Sequence, residues 1–130
     1  MDNEVPESLF KQKLAKIISE KDIRFAGFIN FQGDLVESRY QKDTVPFESN
    51  EEQLQIYREL ASRVSTRKKF DFSMGPVKYS ASRREKLVIM SFPLKNIILL
   101  ITAEPNVNID RLAYKIIQIL GKSWSEFYGE

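Results

Sequence analysis

Residues 97–103, IILLITA, decide the fold because nearly every side chain in this stretch is apolar. Branched aliphatic residues favour β-strands, and a strand that is apolar on both sides belongs in the middle of a sheet with both faces covered. Pro105 follows and closes the stretch. The sequence therefore predicts a central strand with helices packed above and below it.

The residues on either side of this strand predict its neighbours along the chain. Strands are expected at 77–81 and 86–92, separated by a turn at 82–85 and followed by a second turn at 93–96. Asn108 is a favourable N-cap for a last helix. The apolar face of that helix is formed by Ile109, Leu112, Ala113, Ile116, Ile117, Leu120 and Trp124.

The first half of the chain predicts a helix, a hairpin and a second helix. Pro6 begins a helical pattern that runs to Ile18. Strands are expected at 23–31 and 35–40 around a Gln-Gly-Asp turn. After a loop over 41–48, the second helix is expected from residue 51 to residue 68.

The predicted order of elements is α-β-β-α-β-β-β-α. Hairpins place neighbouring strands antiparallel, and the apolar helix faces need a sheet to cover. We therefore expect an α+β fold, a five-stranded antiparallel sheet with helices on both faces. A chain of 130 residues is long enough for one core, so residues 1–130 are expected to form a single domain.

The second helix has an unusually wide apolar face. At 100° per residue its apolar side chains span about 160°, which is wider than the stripe of about 100° that covers one sheet face. This width predicts that the helix is covered on two sides. The residues concerned are Leu54, Ile56, Tyr57, Leu60, Ala61 and Val64.

The composition excludes several kinds of catalytic and metal site. The chain has no cysteine and no histidine, so it lacks thiolate nucleophiles, imidazole bases and the ligands that structural zinc sites use. Its five glycines form neither of the glycine-rich phosphate-binding motifs. We expect no catalytic residues, no cofactor and no metal, and therefore a protein that is not an enzyme.

The apolar runs and the N-terminal charge predict a cytoplasmic protein. Residues 1–4 are acidic where a signal peptide is basic, and the longest purely apolar run, 97–101, is far too short to span a bilayer. No membrane partner is therefore expected.

The charge is distributed unevenly along the chain. The net charge is +2, but residues 58–95 hold ten Lys or Arg against three acids. A local basic field attracts phosphate groups or acidic protein surfaces. We expect a basic patch that binds a partner, although the same residues also suit a helix end and a solvated turn. Its members are Arg63, Arg67, Lys68, Lys69, Lys78, Arg83, Arg84 and Lys86.

Residues 24–31 partly match the RNA-binding octamer of RNA-recognition domains. Ala26 stands where a stacking aromatic is required, and Phe25 replaces a glycine. These aromatic residues are therefore expected in the core. The near-neutral total charge also argues against nucleic acid as a partner.

The element order resembles that of the roadblock/longin group and the profilin-like folds. At the level of residues, GPVKYSASRREK (75–86), SFP (91–93) and IRFAG (23–27) resemble an uncharacterised family of small proteins from ammonia-oxidising archaea, which has no known activity to transfer. The roadblock resemblance implies a homodimer in which the middle helix packs on its twin and the third strands pair. The interface residues expected on that basis are Leu54, Tyr57, Ala61, Val64, Val77 and Tyr79.

The resemblance also implies a function. Roadblock domains are regulators or scaffolds for small Ras-like GTPases and motors, so we expect a dimeric interaction domain with a GTPase or another acidic protein surface as partner. The alternative is a sensor module with a small-ligand pocket. That pocket would be lined by Phe25, Phe28, Tyr79 and Phe92.

Overall fold

A computed structural model describes residues 7–121. The helices are α1 (Glu7–Ile18), α2 (Asn50–Arg67), the single turn α3 (Asp71–Met74) and α4 (Ile109–Ile119), with a 3-10 turn at Lys68–Phe70 between α2 and α3. The strands are β1 (Ile23–Ile29), β2 (Leu35–Tyr40), β3 (Ser80–Arg83), β4 (Val88–Pro93) and β5 (Ile98–Ala103).

The five strands form one antiparallel sheet in the order β2-β1-β5-β4-β3. β5, the stretch from which the fold was predicted, lies at the centre, and all six of its residues are buried. The predicted α+β architecture and element order are therefore confirmed. β2 and β3 are the two outer strands.

The two faces of the sheet have separate cores. Alternate residues of β5 point in opposite directions, so that Leu99 and Ile101 meet α1 and α4, whereas Ile98 and Leu100 meet α2. The aromatic residues of β1 divide in the same way: Phe28 lies in the first core and Phe25 in the second. These two phenylalanines are core residues, as predicted.

The third strand differs from its prediction. It was expected at 77–81 but lies at Ser80–Arg83, because the hairpin turn spans residues 84–87 and not 82–85. The Arg84 N–H donates to the Leu87 carbonyl at 2.8 Å, so the tight turn is Glu85-Lys86 and the strand register follows from it. Residues 77–79 precede the strand.

Other boundaries also differ from their predictions, and β4 begins at Val88 where residue 86 was expected. β1 ends at Ile29 because Asn30 Oδ1 accepts the backbone N–H groups of Gln32 and Asp34, which starts the turn early. α2 is followed by the two helical turns over 68–74, where no helix was predicted. At the chain's end, Trp124 and the residues after it lie outside the described part of the chain, as does Pro6.

Two local features determine where α2 begins and how closely the β1–β2 hairpin packs against it. Ser49 and Glu52 form a reciprocal capping box, in which each side chain accepts the backbone N–H of the other. At the β1–β2 turn, Gly33 has φ +88°, and a Cβ there would lie 2.7 Å from the Arg58 Cα. The hairpin therefore approaches the α2 backbone as closely as glycine allows.

Candidate interaction surface

The basic residues fall into two groups at opposite ends of the sheet. The Arg67 side chain donates to Ser80 Oγ at 3.0 Å, which places the end of α2 beside the start of β3. β3 then carries the chain to the other end of the sheet, where Arg84 and Lys86 form the turn. Arg63, Arg67, Lys68 and Lys69 all lie in the last turns of α2 or just after it, and β3 separates them from Arg83, Arg84 and Lys86. Lys78 lies just before β3.

Most side chains at the α2 end have partners within the chain. Arg63 is paired with Glu59 at 2.8 Å, one helical turn away. The ammonium of Lys68 lies 4.1 Å from the centre of the Phe31 ring, and that of Lys69 lies 5.4 Å from the Phe70 ring. Cations over aromatic faces are held in place without losing their charge.

Arg83 has a structural role. Its guanidinium donates to the carbonyls of Pro105 and Val107, the latter at 2.8 Å, and so holds the loop between β5 and α4. Arg83 therefore has partners within the chain, and its role in binding a partner protein stays a prediction. Arg84, in the turn, is exposed.

An exposed aromatic residue lies beside Arg84 and Lys86, the two basic residues at the β3–β4 turn, which we call the turn group. The Phe47 ring is 55% exposed, with the Arg24 guanidinium at 4.4 Å and the Lys86 ammonium at 5.5 Å from its centre. Aromatic residues and arginine are enriched in protein–protein interfaces relative to the rest of the surface. Sequence reasoning missed Phe47, and its one signal was an isolated phenylalanine after Pro46 in a polar loop.

The residues predicted for self-association occupy different environments. Tyr57, Ala61 and Val64 are buried against the chain's own sheet, whereas Leu54 is 49% exposed. Burial raises the pKa of Tyr57 to about 12. Val77 is half-buried and precedes β3.

Tyr79 faces the side of the sheet that α1 and α4 cover. Its ring packs on Phe92, and its hydroxyl hydrogen-bonds to Asp110, a contact that raises the pKa of Tyr79. Tyr79 is therefore on the opposite face from the α2 members of the predicted interface.

β3 leaves one side of its backbone open. In an antiparallel pair, every second residue bonds to the neighbouring strand, and the residues between point outward. Counting from the bonded pair Arg84 and Leu87, the N–H groups of Ala81 and Arg83 point away from β4. The first three residues of β3 are small and uncharged, Ser-Ala-Ser, without the charges that usually protect an edge strand.

The flank of α2 that faces β3 is partly uncovered. Because Arg67 reaches Ser80, the stripe of α2 that carries Arg67 faces β3, and Ile56 and Arg63 lie on the same stripe. Ile56, Arg63, Ser80 and the adjacent Ile89 are all half-buried. Within residues 7–121 the buried Nε of Arg63 meets no hydrogen-bond acceptor.

The residues proposed for a ligand pocket do not converge. Phe25 lies in the core under α2, whereas Phe28, Phe92 and Tyr79 belong to the core under α1 and α4. The prediction that these four side chains enclose one ligand is therefore wrong. A cleft of about 320 Å³ lies elsewhere, between the α1–β1 turn and α4, and is bridged by the Lys115 to Glu20 ion pair at 3.1 Å.

Comparison with known proteins gives a family and a fold. The model of a family described as of unknown function, DUF6659, matches residues 4–130. No curated protein matches the chain.

Several solved structures share the fold. A Roadblock/LC7 domain from Streptomyces avermitilis is 8% identical, covers 84% of this chain and 89% of its own, and has a TM-score of 0.64. MglB from Myxococcus xanthus is 12% identical over 98% of each chain, with a TM-score of 0.65. MglC from the same organism is 16% identical over 90% of this chain and 98% of its own, with a TM-score of 0.57. The fold is therefore of the roadblock type.

Proposed function

The chain belongs to the DUF6659 family, and we propose that it acts in the cytoplasm as a non-enzymatic interaction domain that pairs with a second copy of itself and docks a protein partner. The absence of cysteine and histidine supports a role without catalysis. The roadblock resemblance supports a small Ras-like GTPase as the partner.

The open edge of β3 is the observation that supports self-association most directly. Two copies of an antiparallel edge strand can pair about a two-fold axis, so that the outward N–H and C=O groups of Ala81 and Arg83 bond to those of the second copy. The small side chains of Ser80, Ala81 and Ser82 leave room for close approach. The result would be a continuous ten-stranded sheet.

The α2 flank supports the same pairing. A second copy on the β3 edge would bring its own α2 beside the first, over the half-buried Ile56 and Ile89. An acceptor from that copy would also satisfy the buried Nε of Arg63, since buried donors rarely stay unpaired. The wide apolar face of α2, with Leu54 and Ile56 at its two margins, agrees with this cover.

The turn group offers a separate surface to the partner. Phe47, Arg84 and Lys86 combine an exposed ring with two cations at the end of the sheet away from the α2 C-terminus. We propose that this corner binds the acidic surface of the GTPase, because charged rims speed association while aromatic anchors supply affinity.

Sedimentation equilibrium over a range of concentrations tests the self-association. The expected mass is twice the 15.2 kDa of one chain, or about 30.4 kDa. Ala81→Pro removes an outward N–H of β3 without touching the pairing to β4, so it is expected to give the monomer. Ser38→Pro is the matched control, because Ser38 points outward on the other edge, β2, by the same alternation from the Gln41 to Arg24 bond.

Two outcomes would overturn the dimer proposal. One is a mass of 15.2 kDa for the wild type at all concentrations. The other is a dimer that survives in Ala81→Pro but dissociates in Ser38→Pro. Circular dichroism of both variants shows whether each retains the native fold.

Binding to a panel of small Ras-like GTPases tests the partner. Reversing both charges of the turn, with Arg84→Glu and Lys86→Glu, is expected to weaken binding about tenfold or more. The control reverses two exposed lysines on α1, Lys11→Glu and Lys16→Glu, and should bind like the wild type. Equal binding by both double variants would remove the turn group from the partner site.

A further inference from the structure

Three large apolar side chains project from the turn that follows α2. Phe72 is fully exposed, Met74 is 76% exposed and Phe70 is 48% exposed. None of the three belongs to either core. Folded proteins rarely leave several large apolar residues together in water unless the patch binds something.

The backbone of this segment forms one helical turn and then an exposed glycine. α3 is a single turn, and the Gly75 N–H donates back to the Asp71 carbonyl at 2.8 Å. Gly75 has φ +83°, and a Cβ placed there would meet no atom within 4 Å. The chain therefore leaves the helix in an extended conformation with positive φ, which favours glycine, at an exposed tip.

Basic residues surround Phe70, Phe72 and Met74, which we call the apolar tip. Arg67, Lys68 and Lys69 precede it and Lys78 follows it, whereas Asp71 is the single acid between them. All four cations are exposed. The tip thus combines apolar side chains at its end with a positively charged collar behind them.

We propose that residues 67–78 attach the protein to the surface of an anionic phospholipid membrane. Phe70, Phe72 and Met74 would enter the boundary between headgroups and acyl chains, while the collar contacts lipid phosphates. The excess of cations favours an anionic surface. The shape favours lipid over a protein, since a protruding tip offers no flat or concave area for a complementary partner.

This attachment differs from membrane insertion and does not rest on the proposed function. None of the helices within residues 7–121 combines the length and hydrophobicity that a membrane crossing needs. The expectation that no membrane is involved was drawn from the short apolar runs, which do not bear on surface binding.

Co-sedimentation with lipid vesicles tests the proposal. The full chain is mixed with vesicles of phosphatidylglycerol and phosphatidylcholine, or of phosphatidylcholine alone, at low and high salt. We expect binding to the anionic vesicles that weakens with salt. The double variant Phe72→Ser with Met74→Ser should bind about tenfold more weakly. Its matched control, Val45→Ser with Tyr114→Ser, removes two exposed apolar residues that lie outside residues 67–78 and outside the proposed partner surface, and should bind like the wild type.

Three outcomes would overturn the proposal. They are absence of binding to anionic vesicles, equal loss in both double variants, and a Phe72→Ser, Met74→Ser variant that dissociates the dimer while lipid binding is unchanged. The last outcome would assign the tip to self-association. Ala81→Pro separates the two proposals, because a monomer that still binds anionic vesicles retains the tip without the dimer.

Discussion

One face of the sheet lies under two helices, α1 and α4, and the other lies under α2 alone. Among the described residues, seventeen buried residues form the first core and eight form the second. The loop after β5 is further held to the first face by Arg83. Most of the apolar burial that stabilises this fold therefore belongs to the face under α1 and α4.

The two faces also differ in how fully their helices are covered. The face under α1 and α4 has two covering helices and the larger buried core among the described residues. The α2 face keeps half-buried residues along one flank, beside an unpaired strand edge. The proposed self-association therefore uses the more thinly covered of the two faces.

The largest predicted difference is between two matched leucines. Leu14 of α1 and Leu60 of α2 are both buried, one on each face. Leu14→Ala should lower the free energy of unfolding by about 3–4 kcal/mol, and Leu60→Ala by about 2–3 kcal/mol, because the more thinly covered site relaxes more readily around the cavity. Urea unfolding measures both. A larger loss in Leu60→Ala would contradict the comparison of the two faces.

Two glycines with similar φ angles test how closely the hairpin approaches α2. A Cβ at Gly33 meets the Arg58 backbone at 2.7 Å, whereas one at Gly75 meets nothing within 4 Å. Gly75→Ala should therefore cost only the conformational term of about 1–3 kcal/mol. Gly33→Ala should cost more than Gly75→Ala, since the α2 backbone must also move. Equal losses in the free energy of unfolding, measured with urea, would show that the close approach of the hairpin to α2 adds nothing to the cost of Gly33→Ala.

Alkaline pH tests the burial of Tyr57 under α2. Because its pKa is raised to about 12 from 10.0, the contribution of the neutral phenol to stability is fully present below pH 10 and is lost as the pH rises toward 12. As the pH rises from 10 toward 12, the free energy of unfolding of Tyr57→Phe should fall by about 1–2 kcal/mol less than that of the wild type. Denaturant unfolding at pH 9 and pH 11.5 measures the difference. Parallel losses in the two proteins would contradict burial of the phenol.

The smallest effect compares the two neighbouring arginines of the β3–β4 hairpin. Arg83→Ala removes the donors to the Pro105 and Val107 carbonyls and should lower the free energy of unfolding by about 1–2 kcal/mol. Arg84→Ala should stay within about 0.5 kcal/mol of the wild type, since Arg84 is exposed. Thermal unfolding of the two variants side by side measures this. If Arg84→Ala is the more costly, the assignment of Arg83 to the loop is wrong.

The sequence was sufficient for the fold because its signals are periodic. β5 is apolar on both sides and so belongs at the centre of the sheet, and α4 is amphipathic and so packs its apolar side on the sheet. The order of these elements along the chain then specifies the sheet. The β3 register was missed because Ser-Ala-Ser-Arg has no apolar alternation, so the turn alone determines it.

The candidate surfaces were harder to predict than the fold. Whether Arg67 and Arg84 meet depends on the direction of β3, and the role of Arg83 depends on a loop more than twenty residues away. Phe47 and Phe72 are exposed only because nothing in the described chain folds over them, and local sequence patterns do not encode that.

Amide hydrogen exchange of the two sheet edges, at high and low protein concentration, is the most direct test of self-association through β3. The outward N–H groups of Ala81 and Arg83 should be protected at high concentration and exchange rapidly on dilution. Those of Ser38 and Tyr40, on the β2 edge, should exchange rapidly at both concentrations. Rapid exchange at Ala81 and Arg83 in a solution of dimer would contradict pairing through β3.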